Sequence, residues 1–302
     1  MDSCRRACSR ARALLNLSPA GGEDCGCGAS TVGVAVLALR GEDCAGELRA
    51  CAAQRTYSFE MERMRARSGG GASSSTPVAP SGIIGEAWMR RLRESAADAW
   101  DRQTRKLAEK PVMTFIAVLA VPTARRAGGA GDDADGAAFE RQLDAELMAS
   151  MGSSMRVLPR GGRGIFDGDA EATGKCGLCV ASCDVTFDDL LYGENLTGSR
   201  DIGAQAYISD VSVIPQMRRR GIGRTLVQTV VRFALSDGGG DGGGGGATSV
   251  YIHVDEDNAA AAALYARCGF VEETRESTQE AARRTGGGPT CRRMLLRWTG
   301  VK

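Results

Sequence analysis

The chain has 302 residues and 43% hydrophobic content, enough for a buried core in one large or two small domains. Its formal net charge of +1 gives no bulk attraction to nucleic acid or to a membrane surface, and apolar runs such as Val32 to Leu39 fall far short of the ~20 residues that span a bilayer. Eleven cysteines, scattered and odd in number without a secretory signal, read as free thiols of a reducing compartment rather than a disulfide framework.

In chain order, residues 1–30 read as a leader. Arg5, Arg6, Arg10 and Arg12 stand against the single acid Asp2 among serines and alanines in the first 22 residues, the composition of an organellar transit peptide; a disordered leader is the alternative. Residues 31–302 read as one domain with low-complexity insertions near 68–82, 123–174 and 237–247. Thr31 to Arg40 is a first strand, and Gly41-Glu42-Asp43 opens a helix toward Phe59. Helical periodicity covers Glu86 to Leu107, with Trp88, Leu92 and Trp100 among its apolar positions. Met113 to Val121 is a second strand, and Phe139 to Met155 an inserted helix. Cys176 to Phe187 and Ala206 to Ile214 are strands three and four, and a helix follows over Gly221 to Leu235. The glycine tract Asp237 to Gly246 is a connector. A strand at Val250 to Val254, a helix at Asn258 to Cys268, a strand near Phe270 and a strand at Arg293 to Trp298 complete an α/β (α+β) domain with a mixed sheet.

The stretch Val211 to Gly223 passes from a β-branched run through Pro215 to arginines and glycines, and then into a helix. Glycines before a helix let the backbone approach a ligand, and the first helical N–H groups point at an anion. A dinucleotide fingerprint fails, because Leu226 stands where a third glycine is required; a P-loop fails, because no lysine is near. What remains is R-x-x-G-x-G led by Arg218, whose arginines and amides suit a pyrophosphate. Cys176-x-x-Cys179 with Cys183 suggests zinc, but no matching pair or nearby histidine completes four ligands, so no metal is expected.

A second element follows as Asn258, Leu264-Tyr265 and Gly269-Phe270. Together, R-x-x-G-x-G and N-x5-L-Y-x3-G-F resemble the GNAT superfamily of acetyl-CoA-dependent N-acetyltransferases. The runs Ala206 to Val211, Tyr251 to Val254 and Arg292 to Trp298 resemble its plastid members in plants and algae, which acetylate protein N-termini and lysines. The resemblance implies a mostly antiparallel sheet flanked by helices and splayed at strands 4 and 5, with acetyl-CoA as co-substrate. It implies that Val211, Ser212 and Val213 offer backbone groups to the pantetheine arm, one N–H polarising the thioester carbonyl. It implies that Arg218, Arg219, Arg220, Gly221, Ile222, Gly223 and Arg224 wrap the pyrophosphate, that Asn258 contacts the cofactor, and that Tyr265 protonates the departing thiolate.

An amine nucleophile must also lose a proton. The fourth strand carries Gln205, Tyr207 and Asp210 where many relatives have a glutamate. His253, the only histidine, has a side chain of ordinary pKa near 6.5 suited to that role. Some N-terminal acetyltransferases of this superfamily have a histidine base at the matching Tyr-x-His-Val position. Tyr207 is then a helper that orients a water; a satisfied structural histidine is the alternative. Asp255, Glu256 and Asp257 favour the positive end of the following helix, or attract a cationic substrate. The function expected is transfer of acetyl to protein N-terminal amines or lysines, with protein or peptide amines as partners, no nucleic acid, no membrane and an open oligomeric state. Plastid stroma is the expected location and cytoplasm the alternative. A small-amine acetyltransferase and a non-catalytic acyl-CoA-binding module are the competing functions.

Overall fold

A computed structural model describes residues 13–17, 32–39, 44–67, 90–92, 94–102, 105, 112–122, 155–157, 175–187, 205–237, 246–286 and 291–300. The insertion expected near 68–82, that near 123–174 except residues 155–157, the helix expected at Phe139 to Met155 except its last residue, that near 237–247 except residues 237, 246 and 247, and residues 1–12 and 18–30 of the leader lie outside them. The fold is mixed α/β with mostly antiparallel pairing, as expected from the sequence. It divides into two compact units: Met1–Ala108, Thr114–Ser182 and Ser212–Ile222 form the first, and Glu109–Met113, Cys183–Val211 and Gly223–Lys302 the second.

In the first unit, strands β1 (Ala13–Leu17), β2 (Val32–Leu39), β3 (Val112–Pro122) and β5 (Lys175–Phe187) lie in that order, and the short β4 (Arg156–Val157) pairs with β5. β1 pairs antiparallel with β2 inside the stretch read as leader, a strand the sequence reading lacked. β2 and β3 are antiparallel, with Val36 opposite Ala117. Helix α1 (Ala45–Arg67) carries no proline or glycine after Gly46, so nothing interrupts its ladder. Its Leu48, Ala50 and Cys51 join Leu39, Ile116, Val118, Val157 and Cys179 in one apolar cluster, with Trp100 packed against it. Residues 50–58 are buried all round, so the helix is a core element rather than a half-wet one. Residues 90–92 and 94–102, inside the helix expected at 86–107, are helical.

In the second unit the order is β6 (Gln205–Val213), β7 (Ser249–Asp255), β9 (Arg293–Trp298) and β8 (Phe270–Arg275). β6 and β7 are parallel from Gln205↔Ser249 to Ile208↔Ile252. Two residues later Asp210 has φ 54°, a left-handed residue inside a strand that bends it as a bulge does. β7 and β9 are antiparallel, and so are β8 and β9. β7 lies between two strands, which explains its near-continuous apolar run. β8 is an edge, and its exposed Glu272, Glu273 and Arg275 discourage pairing with another chain. Helix α2 (Ile222–Asp237) buries Leu226, Val227, Val230, Val231 and Ala234, a stripe at helical spacing. Helix α3 (Ala259–Arg267) is capped by Asn258. Helix α4 (Thr278–Thr285), absent from the sequence reading, starts on a capping box of Ser277 and Glu280 and stops at Gly286 with φ 65°.

Candidate active site

The arginine–glycine loop is built by buried anchors and one proline. Ile214 donates its backbone N–H to the carbonyl of Val180 at 3.0 Å. Pro215 starts a single 3-10 turn, Pro215–Met217, its fixed φ suiting the first position. Ile214, Met217 and Ile222 are buried, so the loop hangs between three apolar pegs. Arg219 (φ 64°) and Gly221 (φ 81°) take the left-handed conformation on either side of Arg220. That alternation, running into the first turn of α2, turns backbone amides outward in the manner of anion-binding loops. Arg219, Gly221 and Arg224 are exposed, Arg220 and Gly223 are half-buried, and the Ile222 side chain is buried, leaving only its backbone for a ligand. Burial pulls the Arg220 guanidinium below its ordinary value.

Helix α1 braces this loop through residues that sequence reasoning missed. Gln54 Nε2 donates to Ser212 Oγ at 3.2 Å, Gln216 Nε2 donates to the Tyr57 hydroxyl, and Arg218 pairs with Glu62 at 2.6 Å. Arg218 Nε also donates to the carbonyl of Val213 at 2.9 Å, so its guanidinium is engaged by the protein on two sides. Positions 54, 57 and 62 fall near one face of α1 and meet positions 212, 216 and 218 in the same order. Behind them Gln54 Oε1 accepts from Ser182 Oγ at 2.8 Å, and Arg55 Nε donates to the same hydroxyl at 2.9 Å. The sequence offers no local signal for these braces, because polar and charged residues run along most of the helix.

The second unit holds the titratable groups. Tyr207 on β6 and His253 on β7 are hydrogen bonded, hydroxyl to Nδ1, at 2.9 Å, with rings edge-on at 5.6 Å. The two residues named from the sequence are therefore in direct contact rather than joined through a water. Burial lowers the His253 pKa to about 4; Arg293 adds to this, Glu276 opposes it and Arg284 adds a smaller push. The imidazole is thus uncharged at neutral pH and can accept a proton. Tyr265, on α3, is buried and stacks edge-on against Phe270 at 6.1 Å. Burial, with Cys183, Tyr207 and Cys268 near, raises its phenol well above the ordinary value, so it stays protonated at neutral pH. Asn258 Oδ1 accepts from the backbone N–H of Ala261 at 3.1 Å as the α3 cap, so its oxygen holds the helix start.

The acids before α3 are distributed differently from the sequence expectation. Glu256 is held by Arg275 at 2.6 Å and Arg292 at 2.8 Å, which ties it to the β8–β9 edge, while Asp255 and Asp257 are exposed. Among the described residues no group of three or more His, Cys, Asp or Glu side chains is placed to hold a metal. Cys179 and Cys183 lie buried in β5, and burial, with Cys51 near, drives the Cys179 thiol well up.

Residues 196–270 match the acetyltransferase (GNAT) family, and the chain carries a GNAT acetyltransferase domain. GCN5-related N-acetyltransferase 7, chloroplastic, of Arabidopsis thaliana is similar, 38% identical over 78 residues, which is 26% of this chain and 26% of that protein. The match thus spans about a quarter of the relative's length. Among solved structures, Arabidopsis thaliana NAA60 in complex with a bisubstrate analogue is 15% identical with a TM-score of 0.39, covering 74% of this chain and 94% of that one. A Vibrio cholerae spermidine N-acetyltransferase SpeG chimera with hSSAT is 12% identical with a TM-score of 0.41, covering 87% and 94%.

Proposed function

We propose that the protein transfers acetyl from acetyl-CoA to protein N-terminal or lysine amines, directly from one substrate to the other. The observation that carries this is the Tyr207–His253 hydrogen bond, in a chain whose residues 196–270 match the family and include its cofactor motif. The loop residues fit a pyrophosphate: Gly221 and Arg219 hold a backbone that most side chains resist, and the α2 N-terminus supplies amides. Arg218, held by Glu62 and by the Val213 carbonyl, sets the loop's shape, and the exposed Arg219 and Arg224 meet phosphate together with Arg220. Backbone groups of Val211, Ser212 and Val213 line the pantetheine arm.

Acetyl-CoA supplies the thioester. The amine arrives neutral, because an imidazole whose pKa lies near 4 does not strip an ammonium whose pKa lies near 8. As the nitrogen bonds to the carbonyl its protons become acidic, and the Tyr207–His253 pair takes one. Tyr265 gives its phenolic proton to the leaving sulfur. The similarity of three runs, including Tyr251 to Val254, to plastid acetyltransferases supports protein amines as acceptors, and the arginine-rich leader together with the chloroplastic Arabidopsis relative supports a plastid location.

Thiol release from acetyl-CoA, measured with N-terminal peptides, a lysine peptide and spermidine, tests the assignment. Turnover on peptides supports it. Turnover on spermidine alone contradicts the protein acceptor, and tight acetyl-CoA binding without turnover on any amine contradicts catalysis.

A further inference from the structure

The surroundings of His253 contain a charge cluster that the acetyl-transfer reading does not use. In the β7–β9 register His253 stands opposite Leu295 and Asp255 opposite Arg293. Side chains alternate along a strand, so His253, Asp255, Leu295 and Arg293 share one face of the sheet, and Arg293 is the diagonal neighbour of the imidazole. Glu276 clamps that arginine: it accepts the Arg293 backbone N–H at 2.9 Å, Nε at 3.3 Å and Nη2 at 3.2 Å. The same carboxylate accepts Arg284 Nε at 2.9 Å and Nη2 at 3.0 Å, and Arg284 also reaches the Cys291 carbonyl at 2.6 Å. Burial alone would raise Glu276, yet the bonds from Arg284 and Arg293 outweigh it and pull its carboxyl down to about 2, so the clamp stays charged at every physiological pH. Among the described residues, the charged or titratable groups placed near His253 include Tyr207 from β6, Asp255 from β7, Arg293 from β9, Glu276 from the segment after β8, and Arg284 from α4. Two guanidiniums gather on one carboxylate, with Asp255 offsetting part of the excess at the strand end.

We propose that Arg293, clamped by Glu276 one register step from His253 on the same face of the sheet, is a positioning residue whose fixed positive charge disfavours a proton on the His253 imidazole. An uncharged imidazole retains a lone pair, so the Tyr207–His253 pair can accept a proton; a charged one has none to offer. Positive charge beside the ring disfavours a second positive charge there, and the half-buried setting limits screening. The carboxylate of Glu276 acts on the imidazole in the opposite sense, so its contribution is to fix the arginines in place.

The inference rests on the reading of His253 as the base, but its measurement does not. His253 is the only imidazole in the chain, so its ring resonances can be followed by NMR through a pH titration of the full-length protein without assignment ambiguity. Arg293→Gln raises the His253 titration midpoint by about one pH unit, because an opposing charge is gone. Arg293→Lys, which keeps the charge, restores most of the original midpoint. Arg284→Gln raises it by less than Arg293→Gln. A midpoint in Arg293→Gln equal to that of the wild type overturns the proposal. If Arg293→Gln does not fold, Arg284→Gln decides: an upward shift supports the proposal and an unmoved midpoint overturns it. A His253→Gln variant with undiminished turnover removes the base reading and leaves the titration result standing.

Discussion

Helix α1 and the β7–β9 face solve the same problem, polar groups taken from water, in opposite ways. In α1 the buried polar atoms of Gln54, Ser58, Ser182 and Ser212 form a chain of hydrogen bonds between mostly neutral partners, with Arg55 at one end. At β7–β9 the partners are charged, and the Glu276 and Glu256 clusters lie partly in water. The difference teaches what each region is sensitive to. Losing one member of the buried neutral chain orphans the others and costs stability. Losing one charge at β7–β9 acts instead on the titration of the half-buried imidazole beside it.

Mutations can break or sharpen that contrast. The largest effect is expected at Tyr265, whose phenol is the proposed proton donor: Tyr265→Phe lowers kcat on the order of 10²–10⁴-fold while the acetyl-CoA dissociation constant changes little, as steady-state kinetics and calorimetry would show. Gln54→Leu removes the centre of the buried chain and destabilises by about 1–3 kcal/mol in denaturant unfolding. Gly221→Ala forces a Cβ into φ 81° and costs about 1–2 kcal/mol, read as a rise in KM for acetyl-CoA. Ser277→Ala removes a cap from α4 and costs about 1 kcal/mol. Glu62→Gln, which releases a pair whose side chains are 35% and 51% exposed, costs less than about 1 kcal/mol and gives the smallest change in unfolding.

Acid should separate the regions too. His253 has a folded-state pKa below its unfolded one, so between about 6.5 and about 4 the unfolded chain binds the proton more readily. Its contribution is present above that window and is lost as pH falls through it. Comparing the pH dependence of unfolding for wild type and His253→Gln isolates this loss, which the variant lacks.

What was legible in the sequence follows from distance along the chain. The loop from Val211 to Gly223 and the segment from Asn258 to Phe270 declare themselves because proline, glycines and a cap act on their immediate neighbours. The α4 signal was equally local, Ser277-x-x-Glu280 closed by Gly286, and was passed over because the residues between carry little apolar periodicity. The braces on the loop come from α1, more than 150 residues earlier, and no local rule connects Gln54 to Ser212 or Tyr57 to Gln216. Arg293 and Glu276 meet through a strand register that the sequence does not print. His253 and Tyr207 were named individually, but their direct hydrogen bond depends on the parallel register of β6 and β7.

On the proposed function, a loop holds the cofactor while tyrosines and a histidine move protons. The acetyl-CoA dependence of initial rates for His253→Gln, against wild type at saturating peptide, tests that division most directly. The account predicts a fall in kcat of about 10²-fold or more with KM for acetyl-CoA nearly unchanged. An unchanged kcat with a raised KM would place His253 in cofactor binding and contradict it.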